Sequence, residues 1–311
     1  MDESIVKVSN LSHRYAIQWA IRDIDFEINR KGVYGLLGAN GSGKSTIMNI
    51  MCGILKQSRG DVFIKGISVS ENPIAAKKHI GFLPQQAPLH PDLTVEEYLT
   101  HAASMRLMDG KSISGAVDDT MERCGVSHFR KRLIRNLSGG YKQRVGIAQA
   151  IVHSPEFIVL DEPTNGLDPN QILEVRNLIK GIAQEHTVLL STHILQEVQA
   201  MCDYIWMINE GQQVFAGTVE EFDSYITPNS LIVSFVTPPA PDKLKTIHGV
   251  EDVEELGVKT FRVRYSDEEE ATQEIVTRSV ENGWRLREIR VEKISMDSVF
   301  AELSRNGKNK G

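Results

Sequence analysis

The 311-residue chain predicts an α/β fold with a smaller α+β domain at its C-terminal end. Three observations carry that reading. The apolar run Val33-Tyr34-Gly35-Leu36-Leu37 leads into a glycine-rich loop and then a helical segment, Ile47 to Cys52, stopped by Gly53. Two further apolar runs, Phe157 to Leu160 and Thr187 to Leu190, end in polar residues, as strands buried on both faces of a parallel sheet do. After Thr227-Pro228-Asn229-Ser230 the pattern becomes βαββαβ, the order of a small ferredoxin-like domain.

The elements follow in order. Ile5 to Ile28 suits antiparallel strands, with period-2 alternation from Ile21 to Ile28. Asp61 to Ser68 reads as another strand. Thr94 to Asn136 is helical, with apolar residues at Val95, Tyr98 and Leu99, then Val117, Met121 and Cys124. A helix opens after Ser138 and stops before Pro155. Ile172 to Ala183 links the strands at 157 and 187 as a βαβ unit. In the second domain, strands are expected at Leu231–Val236, Val253–Leu256, Thr260–Tyr265 and Trp284–Val291. Helices are expected at Pro241–His248, Asp267–Asn282 and Ser295–Leu303, before a disordered tail, Ser304–Gly311.

The loop Gly38-Ala39-Asn40-Gly41-Ser42-Gly43-Lys44-Ser45-Thr46 matches G-x-x-x-x-G-K-[ST], and it stands between a strand and a helix as that motif requires. Its glycines let backbone N–H groups turn inward toward phosphate oxygens, and the helix N-terminus adds to the field. Lys44 is placed to reach the β- and γ-phosphates, and the Ser45 hydroxyl to ligate Mg²⁺. Ser138-Gly139-Gly140 at a helix start is either a second anion site or an ordinary serine cap followed by flexible glycines. Asp161 and Glu162 lie at the C-terminal end of a strand, where α/β sheets place ligands. Asp161 can hold Mg²⁺; Glu162 can orient and deprotonate a water, or both can form a solvated acidic turn. His193 alone carries little weight.

In this order and spacing, the loop, Gln85, Ser138-Gly139-Gly140, Asp161-Glu162, Asp168 and His193 resemble the ATP-binding cassette (ABC) family over residues 4–226. The resemblance implies that Gly38–Thr46 is the Walker A motif, Gln85 the Q-loop and a Mg²⁺ contact, and Leu137–Arg144 the ABC signature. It also implies that Asp161-Glu162 is the Walker B motif with its catalytic acid, that Asp168 closes the D-loop, and that His193 is the switch histidine. Tyr15 falls where the family stacks an aromatic ring on adenine. Implied with these are ATP and Mg²⁺ as ligands, a head-to-tail homodimer, and a membrane permease contacted through Gln85 and residues 86–90. The C-terminal domain is similar to extensions of exporter ATPases of the drug-resistance and gliding-motility type, through its element order and Met296-Asp297-Ser298-Val299-Phe300. The expected domains are a nucleotide-binding domain, 1–226, with a helical subdomain at about 91–155, and an accessory domain, 227–311.

Composition narrows the partners. The net charge is −6 and the pI about 5.9, which argues against a nucleic-acid partner. The basic run Arg130-Lys131-Arg132 with Arg135 reads as a solvated helix face. No stretch approaches the ~20 apolar residues of a membrane span, and Met1-Asp2-Glu3 does not open a signal peptide. These point to a peripheral protein at the cytoplasmic face of the membrane, with its permease a separate chain. Cys52, Cys124 and Cys202 lack metal-site spacing and read as reduced core thiols. The rival reading is a soluble ABC ATPase acting on ribosomes or an assembly machinery. Against it, the chain has one cassette, no heptads, no C-x-x-C and no basic stripe.

Overall fold

The computed structural model describes residues 4–225 and 230–292. Its contacts divide the chain into two compact units, the first ending at Phe222 and the second beginning at Asp223.

The first unit runs β1 (Val6–Tyr15), β2 (Gln18–Ile28), β3 (Gly32–Leu37), α1 (Lys44–Met51), β4 (Arg59–Ile64), β5 (Ile67–Ser68), α2 (Pro73–Lys78) and β6 (Ile80–Leu83). It continues through α3 (Val95–Met105), α4 (Gly110–Arg123), two 3₁₀ turns (Ser127–Phe129 and Ile134–Asn136) and α5 (Gly139–Ile151). Then come β7 (Phe157–Asp161), α6 (Pro169–Ala183), β8 (Thr187–Thr192), α7 (Leu195–Met201), β9 (Tyr204–Asn209), β10 (Gln212–Thr218) and α8 (Val219–Tyr225), within which the boundary between the units falls.

Two sheets result. β2-β1-β4-β5 is antiparallel throughout. The second sheet, β10-β9-β3-β8-β7-β6, is parallel except for its edge strand β10. Its central strands β7 and β8 are buried at every position, which explains why they read as unbroken apolar runs. The sheets share one core with α1 between them, in which Phe26 stacks on Trp206 at 4.4 Å.

Three expectations are corrected. The strand over Asp61–Ser68 is two strands, because Lys65 and Gly66 adopt left-handed φ of 50° and 71° and turn the chain. The helical stretch 94–136 is two helices and two 3₁₀ turns: α3 ends at Met105, and Asp109 caps a new helix through the Lys111 N–H. The basic run is not a helix face. Arg130 pairs with Glu96 and Asp118, Arg135 with Asp92, and Arg132 lies over the Phe129 ring.

The second unit comprises β11 (Ser230–Phe235), α9 (Pro241–Lys245), β12 (Val250–Gly257), β13 (Thr260–Tyr265), α10 (Glu268–Glu281) and β14 (Leu286–Val291). Its antiparallel sheet has the order β12-β13-β11-β14. Leu231, Val233, Phe235, Phe261 and Val263 alternate onto the face covered by Leu244 and Ile275. The helix expected at Ser295–Leu303, Met296–Phe300 within it and the tail Ser304–Gly311 lie outside the described residues.

Candidate functional site

The loop after β3 folds into α1 through Gly43, whose φ of 111° is natural only to glycine. A Cβ there would also meet Ile21 at 2.5 Å. The β9–β10 turn braces the loop: Gly211 N–H donates to Ser42 O at 3.0 Å, and Arg22 N–H on β2 donates to Gly211 O at 2.8 Å. Beside the loop lies a cleft of about 710 Å³, lined by Tyr15, Asn40, Gly41, Gly43, Lys44, Ser45, Thr46, Gln85 and Glu162, with Gln18–Ala20 and Glu210-Gly211.

Lys44 is buried, and its Nζ donates to Gly38 O at 2.8 Å and Ala39 O at 3.0 Å. An ammonium has three donors, so one remains for a ligand. Burial lowers the Lys44 pKa, while the nearby Glu162 and Asp161 pull it back up. The buried Ser42 Oγ has no hydrogen-bond partner, an orphan that an anionic ligand in the loop would satisfy.

Glu162 is buried and left-handed at φ 49°. Its Oε2 accepts from Gln85 Nε2 at 3.1 Å and Asn165 Nδ2 at 3.2 Å, and its Oε1 lies 3.1 Å from His193 Nδ1. The acidic pair therefore is not a solvated turn. Asp161 is buried too, and accepts from Ser191 Oγ. Ser45 and Gln85 line the cleft and Asp161 ends β7 without lining it; their oxygens are of the kind a hard cation such as Mg²⁺ takes. Sequence reasoning missed Ser191, Asn165 and the Glu210-Gly211 turn. The turn had a legible signal, an apolar run ending in Asn209-Glu210-Gly211.

The second group of expected residues stands apart from the cleft. Ser138 is exposed and occupies the N-cap of α5, yet its side chain makes no cap hydrogen bond. Thr94, Asp109, Asp168 and Asp267 all cap their helices through the side chain. Ser138, like Asn72 at the start of α2, therefore holds the N-cap position with its side chain left free of the helix. A Cβ built on Gly139 meets nothing within 4 Å, whereas one on Gly140 meets the Gln171 side chain at 2.7 Å. α5 is tied to the acidic turn by Gln143 Nε2, which donates to Pro163 O at 2.7 Å. Asp168 caps α6 through the Gln171 N–H and does not line the cleft. The three cysteines are buried and free, and burial raises their pKa values, Cys124 to about 12.

Residues 21–165 match the ABC transporter family model. The bacitracin transport ATP-binding protein BcrA of Bacillus licheniformis is 35% identical over 67% of this chain and 68% of its own length. The uncharacterized ABC transporter ATP-binding protein YhcH of Bacillus subtilis (strain 168) is 30% identical over 97% of this chain and 96% of its own. Among solved structures, CbiO1 of Clostridium perfringens, part of the ABC transporter complex CbiONQ, superposes with a TM-score of 0.66. It is 30% identical, covering 71% of this chain and 91% of its own. A dimeric ATP-binding cassette in a post-hydrolysis state, bound to ADP and Pi, gives 0.62 at 26% identity, covering 69% and 98%. The chain belongs to the ABC transporter ATP-binding proteins, ATPases whose hydrolysis of ATP is coupled to transport.

Proposed function

We propose that this ABC ATPase closes as a head-to-tail homodimer around two ATP molecules with Mg²⁺ and drives a separate membrane permease, in the direction of export. The observation that carries the dimer is the open state of Ser138-Gly139. The hydroxyl is exposed and unused by its own helix, and the glycine has no neighbour to demand it. An anion site that its own chain leaves open suits a second copy, and a two-fold axis satisfies both copies at once.

In this reading Tyr15 stacks on adenine and Asn40–Thr46 cradle the phosphates, with Lys44 reaching the γ-phosphate. Ser45, Asp161 and Gln85 hold Mg²⁺, which neutralises charge on the phosphates when bound. Glu162 orients the attacking water and accepts its proton; His193, beside it, senses the γ-phosphate. Ser138, Gly139, Gly140 and Asp168 complete the neighbour's site. Gln85 donates its amide nitrogen to Glu162 in this conformation, and its amide oxygen is the atom that would face the metal.

Two features support a permease partner. No helix among the described residues is long and apolar enough to cross a membrane, which suits a peripheral subunit. A groove of about 420 Å³ is flanked by exposed Ile54, Ile74, Met105 and Leu107. It is lined also by Lys77, Lys78 and Arg106, which have no ion-pair partner among the described residues. It suits an apolar permease segment carrying a carboxylate. Export is supported by the resemblance of the C-terminal unit to exporter extensions. The unit's element order and its β12-β13-β11-β14 sheet support a ferredoxin-like accessory domain from about 227, following a cassette of 1–226.

The test uses coexpressed, differently tagged chains. Lys44→Ala removes the phosphate contact of its own chain, and Ser138→Arg blocks the neighbour's site. Each homodimer is expected to be inactive. The heterodimer carries both lesions in one site and none in the other, so it regains up to one site's ATPase. An inactive heterodimer, with a wild-type control active, and no crosslink between cysteines placed beside Ser42 and Ser138, overturns the head-to-tail arrangement.

A further inference from the structure

We propose that Ser191 is a positioning residue that sets both acids of the nucleotide site through one hydroxyl. The inference rests on the reading of Asp161 and Glu162 above. Ser191 lies on β8 in register beside Asp161 on β7 and is fully buried. Its Oγ donates to Asp161 Oδ1 at 2.5 Å and accepts the Glu162 N–H at 2.9 Å.

A hydroxyl has one proton and two lone pairs, so this side chain faces each acid in a different role. Donation to Asp161 fixes the carboxylate by one oxygen and leaves the other to a ligand. Acceptance from Glu162 acts on the backbone. Glu162 is the first residue beyond β7, and its φ of 49° is costly for a side chain with a Cβ. The bond to Ser191 satisfies a buried N–H at the point of that turn, which an alanine at 191 would leave unpaired. The turn directs the Glu162 carboxylate to Gln85, Asn165 and His193. One hydroxyl thus holds the rotamer of the Mg²⁺ acid and the backbone of the water-orienting acid.

The adjacent hydroxyl cannot substitute. Thr192 Oγ1 donates to Glu197 Oε2 at 2.8 Å and accepts the Ile194 N–H at 3.1 Å. Thr192 shapes the start of α7, while Ser191 alone turns toward the acids.

The experiment uses the full chain with Ser191→Ala, Ser191→Cys and Ser191→Thr. ATP binding is measured by fluorescence with excess EDTA and across a Mg²⁺ titration, beside steady-state ATPase. In EDTA all three are expected to bind ATP within about twofold of wild type, because the loop is untouched. With Mg²⁺, Ser191→Ala is expected to need about tenfold more metal and to lose about 10- to 100-fold in kcat, the usual effect of removing a hydrogen bond that orients a metal ligand. Ser191→Thr keeps the hydroxyl and restores both. Ser191→Cys keeps the volume but donates weakly, so it follows alanine and serves if the alanine variant fails to fold. In an Asp161→Asn background, Ser191→Ala is expected to add no further loss of Mg²⁺ dependence. A folded Ser191→Ala or Ser191→Cys chain with wild-type Mg²⁺ response and kcat overturns the proposal. So do Mg²⁺ losses that multiply in the double variant. Glu162→Gln is assayed in parallel. If it still turns over, the underlying reading of the acids has failed; if it is dead while Ser191→Ala is normal, only the role of Ser191 has.

Discussion

Two histidine–glutamate pairs sit at opposite ends of the same parallel sheet. Beyond the C-terminal ends of β7 and β8, His193 Nδ1 lies 3.1 Å from Glu162. Before the N-terminal ends of β6 and β7, His79 Nδ1 lies 2.9 Å from Glu156. As pairs they are nearly interchangeable, so the pair itself is no sign of chemistry. The settings differ. The Glu162 side chain is 10% exposed, while that of Glu156 is 48% exposed. Glu162 also accepts from two amides and faces a cleft beside Lys44. The lower end holds two more histidines that grip backbone carbonyls: His153 on Ile80 O at 3.1 Å and His186 on Pro155 O at 2.7 Å. One end of the sheet is built to receive a ligand and the other to hold strand ends together.

The largest expected effect tests that division directly. On the proposed reading of Glu162 as the water-orienting carboxylate, Glu162→Gln should lower ATPase turnover at least ~100-fold while nucleotide still binds, since the phosphate cradle is untouched. Glu156→Gln should leave turnover within about twofold. Steady-state phosphate release and nucleotide binding on both variants decide it. Comparable losses at both positions would remove the distinction.

The next effect is on stability and runs with pH. Burial holds His153 down at about 4, below its ordinary 6.5, and moves His186 in the same direction. Between those pH values the unfolded chain binds a proton at position 153 that the folded chain refuses. This contribution to stability is therefore complete above pH 6.5 and is lost as pH falls toward 4, by roughly 3 kcal/mol. His153→Gln should flatten that acid limb. Urea midpoints at pH 7.5 and pH 5 should converge in the variant relative to wild type. An unchanged gap would show that the acid sensitivity arises elsewhere.

The two ends were not equally legible in the sequence. The ligand end was read because its parts are contiguous: a glycine loop between a strand and a helix, and acids closing an apolar run. What escaped there depends on pairing between distant segments. Ser191 matters because β8 runs in register with β7, and Asn165 because the chain reverses after a left-handed Glu162. No local pattern encodes either. The lower end escaped altogether, since β6, α2 and the three histidines carry no spacing rule, and their bonds cross 31 to 77 positions. Ser138 is the instructive intermediate. On its own residues the sequence favoured an ordinary helix cap, and the structure adds only that the side chain makes no cap hydrogen bond.

The smallest expected effect concerns the lower pair alone. His79 and Glu156 side chains are 31% and 48% exposed, so their attraction is screened by water and costs side-chain entropy to maintain. A double-mutant cycle of His79→Ala and Glu156→Ala should give a coupling below about 1 kcal/mol at neutral pH. The part of the coupling carried by a protonated His79 should shrink in high salt, because exposed charges are screened within about 10 Å at 0.1 M. Neither variant should alter nucleotide affinity, which is fixed at the other end of β6 and β7. The same cycle on His193 and Glu162, read as kcat, should be far from additive if both serve one reaction centre as proposed, since either loss then removes most of the rate. Additive losses in kcat there, or strong coupling at the lower end, would make the two pairs alike in energy as well as in geometry. The contrast between an exposed tie and a reacting pair would then be lost.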